Sequence, residues 1–176
     1  MPRKICRVRR PNDYLVMENR SQYRKRIHLK GFDYSDTSSI YFIALCTANK
    51  KPYFETEKLT QIIEDEMEFR RVAGQIKLYC YCIMPDHLHI LLSLTSSYRK
   101  SLQDWVSTFK RYTSRTVNTS FGISPLWQKN FYDHIVRREE SLLKMVEYIL
   151  NNPIRKGMAS EWHAYPHSKV VDPLPI

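Results

Sequence analysis

Twenty residues near the middle of the chain, Gln75 to Leu94, constrain its folding most. Gln-Ile-Lys-Leu-Tyr-Cys-Tyr-Cys-Ile-Met (75–84) and His-Leu-His-Ile-Leu-Leu-Ser-Leu (87–94) are two strand-like runs separated only by Pro85 and Asp86. Strands joined by so short a turn pair antiparallel as a hairpin, because a parallel pair needs a crossover of a dozen residues or more. The rest of the chain must therefore be arranged around a central hairpin. Upstream, Ser39–Thr47 is rich in aromatic and β-branched residues and reads as a buried strand. After a turn at Asn49–Pro52, the segment from Thr56 to Val72 spaces Leu59, Ile62, Ile63, Met67 and Phe69 as one helical stripe, with Thr56 as its cap. Downstream, Ser101–Asn118 carries Leu102, Trp105, Val106, Phe109 and Tyr112 on a second stripe. A loop with Gly122 and Pro125 leads to a strand at Phe131–Val136 and a last helix from Glu139 to Asn152, which Pro153 should end.

The order is β-α-β-β-α-β with one extra C-terminal helix, the α+β, ferredoxin-like pattern. In that arrangement two helices cover one face of the sheet, and the other face is expected to stay open for a site. With 43% hydrophobic residues and four glycines in 176 residues, the chain can bury one core, which excludes a disordered or fibrous protein. The expected organisation is a basic N-terminal arm (1–38), a core (39–153) and an irregular C-terminal tail (154–176) packed by Trp162 and Tyr165.

Charge is concentrated in the arm. Residues 1–30 carry ten Lys and Arg against two acidic residues, a net of +8 out of the formal +10 for the whole chain. Such an arm neutralises a phosphate backbone by releasing counterions, so nucleic acid is the expected partner. The charged start lacks the pattern of a secretory signal. The longest apolar runs, Ile40–Cys46 and Leu88–Leu94, are far short of the roughly 18 residues of a membrane span, so a cytoplasmic protein without a membrane partner is expected. Four cysteines, Cys6, Cys46, Cys80 and Cys82, are too irregularly spaced for a disulfide framework, which also favours a reducing compartment.

Within the hairpin, His87 and His89 alternate with Leu88 and Ile90. Their imidazoles share one face of the strand, half of a metal site, while the leucine and isoleucine face the core. A rival set adds Cys80 and Cys82 to make Cys-x-Cys-x4-His-x-His. Its cysteine spacing is poor for zinc, and Leu78, Cys80, Cys82 and Met84 read more simply as one apolar strand face. On the last helix Tyr148 and Asn152 are four residues apart and share a face; Asn151 is turned about 100° away. An amide oxygen at Asn152 can complete a His-His-Asn set, with the Tyr148 phenol one turn away. Asp86 and His134 are titratable neighbours whose direction spacing does not give.

Taken together these residues resemble the single-tyrosine HUH transposases of bacterial insertion sequences, including their REP-associated relatives. The likeness is carried by Arg26-Ile27-His28-Leu29-Lys30-Gly31-Phe32-Asp33-Tyr34-Ser35 with Tyr41–Thr47, by Met84-Pro85-Asp86-His87-Leu88-His89, by Trp127–Arg137, and by Tyr148-Ile149-Leu150-Asn151-Asn152-Pro153 with Gly157. It implies an enzyme that nicks and rejoins single-stranded DNA, usually beside a hairpin, either for transposition or in a domesticated role. Tyr148 would be the nucleophile, forming a 5′-phosphotyrosine, and His87, His89 and Asn152 would hold Mg2+ or Mn2+. The resemblance further implies a nucleoid-associated protein when DNA is bound. The family's tyrosine helix docks within its own chain or onto a partner, so a homodimer stands beside a monomer. The candidate DNA contacts are Arg24, Lys25, Arg26 and Lys30 of the arm, Lys110 and Arg111 on the second helix, and Arg137 after the last strand. The alternative is a non-catalytic module that holds single-stranded nucleic acid by stacking on some of its twelve tyrosines.

Overall fold

The hairpin forms where its sequence places it. Strand β2 (Ile76–Met84) pairs antiparallel with β3 (His87–Leu94), with Met84 opposite His87. A computed structural model describes residues 31–136 and 139–175; the basic arm up to Lys30, and Arg137, lie outside the described residues. Strand β1 (Ile40–Cys46) pairs with the free edge of β3, and β4 (Tyr132–Val136) pairs with β1, both antiparallel. Helix α1 (Glu57–Val72) links β1 to β2, and α2 (Leu102–Phe121) links β3 to β4. Ser101 caps α2 in a reciprocal box with Asp104, while Thr56 precedes α1 without a side-chain capping bond.

The tail departs from the expected irregular segment. Ser168–Val170 forms a fifth strand, β5, antiparallel to β2, so the sheet order is β4-β1-β3-β2-β5. Three residues are too short to show an alternating pattern, and pairing to the exposed edge of β2, together with the Tyr165 hydroxyl donating to the Ile83 carbonyl at 2.9 Å, is what orders them. Among the described residues, no helix is long and apolar enough to cross a membrane.

Two cores flank the sheet. On one face α1 and α2 bury Leu59, Ile63, Trp105 and Phe109 against Ile43, Leu88, Ile90 and Leu92. The other face was expected to be open, but helix α3 (Glu139–Leu150) packs across it, burying Leu142, Met145, Tyr148 and Ile149 against Phe42, Cys80, Cys82 and Leu91. Strand alternation holds through β3, sending His87, His89 and Leu91 towards α3. In β2 a bulge between Leu78 and Cys80 breaks it, so Leu78 joins the α1/α2 core while Tyr79, Cys80, Cys82 and Met84 join the other. Leu78 and Cys80 therefore do not share the face that simple alternation assigns them.

Pro153 also acts differently from expectation. The chain turns at Asn151 and then forms a short helix α4 (Asn152–Arg155) with the proline in its first turn, where a missing N–H costs nothing. That turn brings Arg155 back over the end of α3.

Candidate active site

The four expected site residues converge under α3. His87 and His89 ring centroids are 4.7 Å apart, and His89 stacks on the Tyr148 ring at 5.8 Å. Phe42, on β1, meets both edge-on, at 5.2 Å from His89 and 5.9 Å from Tyr148. The register explains the convergence: Ala44, small and buried, lies opposite His89, which leaves room for the ring beside Phe42. One chain by itself supplies the histidine pair and the tyrosine.

Asp86 was chemically visible in the sequence but its direction was not. In the structure it orients His87, whose Nδ1 lies 2.5 Å from Oδ1. That bond, with the nearby Lys50, holds the Asp86 carboxyl below the usual carboxylate range. A carboxylate on Nδ1 leaves the His87 Nε2 lone pair outward, the usual arrangement behind a metal-ligating histidine.

His89 is fully buried, at 1% exposure. Its Nδ1 lies 2.8 Å from the Asn152 Nδ2, and its Nε2 has no hydrogen-bond partner among the described residues. Burial, helped by the nearby Arg155 guanidinium, pushes its pKa well below 6.5 and keeps the ring neutral. The unfolded chain takes up a proton here below about pH 6.5 while the folded chain does not. Full stability therefore holds above that pH and is progressively lost as the pH falls towards the depressed folded value. The urea midpoint of the native chain should drop more between pH 7 and pH 5.5 than that of His89→Gln; equal drops would mean that this ring is not the proton acceptor.

Asn152 sits at the site, but its oxygen faces away from the histidines. Oδ1 accepts from Arg155 Nη2 at 2.9 Å, and Nδ2 donates to the Tyr148 carbonyl at 2.9 Å. Arg155 was not among the sequence candidates. Its guanidinium lies 4.2 Å from the centre of the Tyr148 ring, a cation–π contact on the proposed nucleophile. The available signal was its spacing, three residues after Asn152 and seven after Tyr148, but Pro153 in between hid the continuation of the helix.

Of the remaining candidates, Lys110 and Arg111 are not brought to this site. Lys110 is half-buried and donates to the carbonyls of Gln128 and Lys129 at 2.6 and 3.0 Å, so it ties α2 to the segment before β4. Burial lowers its pKa to about 8. Arg111 is exposed on α2, the helix layer across the sheet from the histidines. Arg24, Lys25, Arg26, Lys30 and Arg137 lie outside the described residues. Cys80 and Cys82 are buried free thiols, and burial pushes the Cys82 thiol up to about 12, so neither is a ready thiolate for zinc. Among the described residues, no group of three or more His, Cys, Asp or Glu is placed to hold an ion.

An antiparallel sheet in the order 4-1-3-2, with a histidine pair on its central strand and a tyrosine helix laid across it, can be set beside known proteins. The chain is 26% identical to an uncharacterized protein of Haemophilus influenzae, over 75% of this chain and 89% of that one. It is 21% identical to the REP-associated tyrosine transposase of Escherichia coli K12, over 84% of this chain and 81% of that one. The fold matches a solved REP-associated tyrosine transposase bound to a REP hairpin with a TM-score of 0.63 at 19% identity, covering 85% of this chain and 82% of that one. The family described as "Transposase IS200 like" matches residues 35–152, from before β1 through Asn152, and so takes in the whole sheet up to β4, His87, His89 and the tyrosine helix. With that span matched over more than half its length, the chain belongs to the IS200-like transposase family.

Proposed function

We propose that this transposase nicks and rejoins single-stranded DNA with Tyr148 as the nucleophile, leaving a 5′-phosphotyrosine and a free 3′-hydroxyl. The observation that carries the reading is the stacking of Tyr148 on His89, next to His87, within one chain. The Tyr148 oxygen attacks phosphorus, the bond to the 3′ oxygen breaks, and the phenol proton is lost as the departing oxygen gains one. The phosphodiester is exchanged for another of similar energy, so rejoining needs no nucleotide cofactor. The solved relative's hairpin suggests a hairpin-bearing substrate here as well.

His87 and His89 would hold a divalent ion, Mg2+ or Mn2+, which when bound neutralises charge on the scissile phosphate. His87 fits this role, with Asp86 behind its ring and Nε2 outward. The Nε2 of His89, buried without a hydrogen-bond partner among the described residues, would serve as the second ligand atom once the ring proton sits on Nδ1. Asn152 would be the third ligand only with its amide turned over, because in the arrangement observed its nitrogen, not its oxygen, faces His89.

The test is incubation of the full chain with Mn2+ and a library of hairpin-bearing single-stranded oligonucleotides. A protein–DNA species that survives denaturation supports the reading; tight binding without any adduct transfers the weight to the non-catalytic binding module. In the same assay His87→Ala should yield no adduct while the thermal midpoint stays within about 3 °C, because the ring is partly exposed and Leu88 and Ile90 make the core contacts. Removing residues 1–25 should weaken DNA binding and flatten the slope of log K against log salt, since the arm supplies the counterion-releasing charge. An unchanged slope would reject that role for the arm.

A further inference from the structure

The chemistry of its partners determines which way the Asn152 amide points. Backbone carbonyls only accept, so the atom 2.9 Å from the Tyr148 carbonyl and 3.2 Å from the Ile149 carbonyl is the nitrogen. A guanidinium only donates, so the atom 2.9 Å from Arg155 Nη2 is the oxygen. The nitrogen therefore also donates to His89 Nδ1, at 2.8 Å. A neutral imidazole whose Nδ1 accepts carries its proton on Nε2, and here that proton is buried with no acceptor among the described residues. A protonated ring nitrogen has no lone pair to give an ion.

For His89 to ligate through Nε2 its proton must move to Nδ1, which then needs an acceptor. Asn152 Oδ1 becomes that acceptor only if the amide turns over. The turned amide would present its N–H to Arg155, donor against donor, so Arg155 has to leave first. Arg155 is solvent-exposed and lies over the Tyr148 ring, where a phosphodiester must arrive if Tyr148 is to attack it. A guanidinium prefers a phosphate to a neutral amide oxygen, because both bonds of its fork become charge-assisted.

We propose that Asn152 and Arg155 form a latch that keeps His89 in the tautomer unable to bind metal, and that a DNA phosphodiester seated on Arg155 releases it. DNA and the divalent ion then bind with positive linkage, each raising the affinity of the other by the same factor. Asn152 acts in this scheme as a positioning residue through His89, and Arg155 as the group that senses the phosphate. The inference rests on the proposed DNA-cleaving function of the same site.

The test uses the full chain and Mn2+ binding followed by electron paramagnetic resonance, with no turnover involved. Tyr148→Phe serves as the background because it keeps the ring and stops cleavage. A single-stranded oligo-dT at saturating concentration should tighten Mn2+ binding at least about fivefold. Arg155→Met covers the Tyr148 ring without the guanidinium, so it should tighten Mn2+ binding in the absence of DNA and show a smaller further gain with it than the Arg155 chain does, the remainder coming from the phosphate itself. Long-range proton–nitrogen spectra of the 15N-imidazole-labelled protein should show the Nε2–H form of His89 in the native chain and the Nδ1–H form in Arg155→Met. Equal Mn2+ affinity with and without the oligonucleotide, or an Nδ1–H form already in the native chain, would overturn the latch. If His87→Ala binds Mn2+ as the native chain does, the histidine metal site itself fails, which is a different result from failure of the latch.

Discussion

Tyr148→Phe should form no covalent adduct with any oligonucleotide that the native chain cuts, a loss of at least roughly 10³-fold, because removing a nucleophile leaves only the contributions of binding and electrostatics. Binding of the same DNA should be unchanged. The ring makes its structural contacts through its faces and edges: stacked on His89, edge-on to Phe42, and beneath the Arg155 guanidinium. Phenylalanine keeps all three ring contacts and lacks the oxygen proposed to attack phosphorus. The measurement is a denaturing gel with labelled DNA, together with a binding titration of both proteins. Retained nicking by Tyr148→Phe would make water the nucleophile and remove the centre of the mechanism. Weakened binding instead would mean that the phenol is chiefly a DNA contact.

The largest loss of stability is expected far from the site, in the layer of α1 and α2. Glu66 and Arg70 form an ion pair of 2.6 Å one turn apart on α1, with side chains only 4% and 8% exposed. Arg70 also donates to the Thr108 hydroxyl at 2.9 Å and stacks its guanidinium on Trp105 and Phe109 of α2. Glu66→Ala leaves that cation buried without its counter-charge, which costs about 3–5 kcal/mol. For a chain of this size that lowers the thermal midpoint by roughly 10 °C. The double change Glu66→Leu with Arg70→Met removes both charges and should recover most of the loss. Thermal unfolding followed by circular dichroism tests both variants, and a Glu66→Ala midpoint within about 2 °C of the native one would show the pair to be dispensable.

These two sites differ in how far they could be read from spacing. The tyrosine helix was legible because Tyr148 and Asn152 lie one turn apart beside an apolar stripe, and the histidines because His-x-His on a strand puts both rings on one face. The Glu66–Arg70 pair is also spaced for a helical contact, yet nothing local distinguishes it from a solvated pair. It is buried because α2 lies over it, bringing Thr108, Trp105 and Phe109 from almost forty residues away. Lys110 shows the converse: on a helix near other basic residues it reads as a DNA contact, but its ammonium is held by two backbone carbonyls of another segment.

The sequence by itself determined the order of strands and helices from β1 to α3, the antiparallel hairpin at Pro85–Asp86, and the shared faces of the histidine pair on β3 and of Tyr148 and Asn152. These follow from periods of 2 and 3.6 residues, a property of the backbone within one element. Tertiary structure decided the rest. The bulge at Tyr79 and Cys80 moved Leu78 to the opposite core, the tail added β5 to the exposed edge of β2, and α3 closed the face that two helices alone leave open. Closing that face buried His89 and set the Asn152 amide nitrogen against its Nδ1. Each of these depends on which groups from distant segments compete for the same buried donors and acceptors, and residue spacing carries no record of that competition.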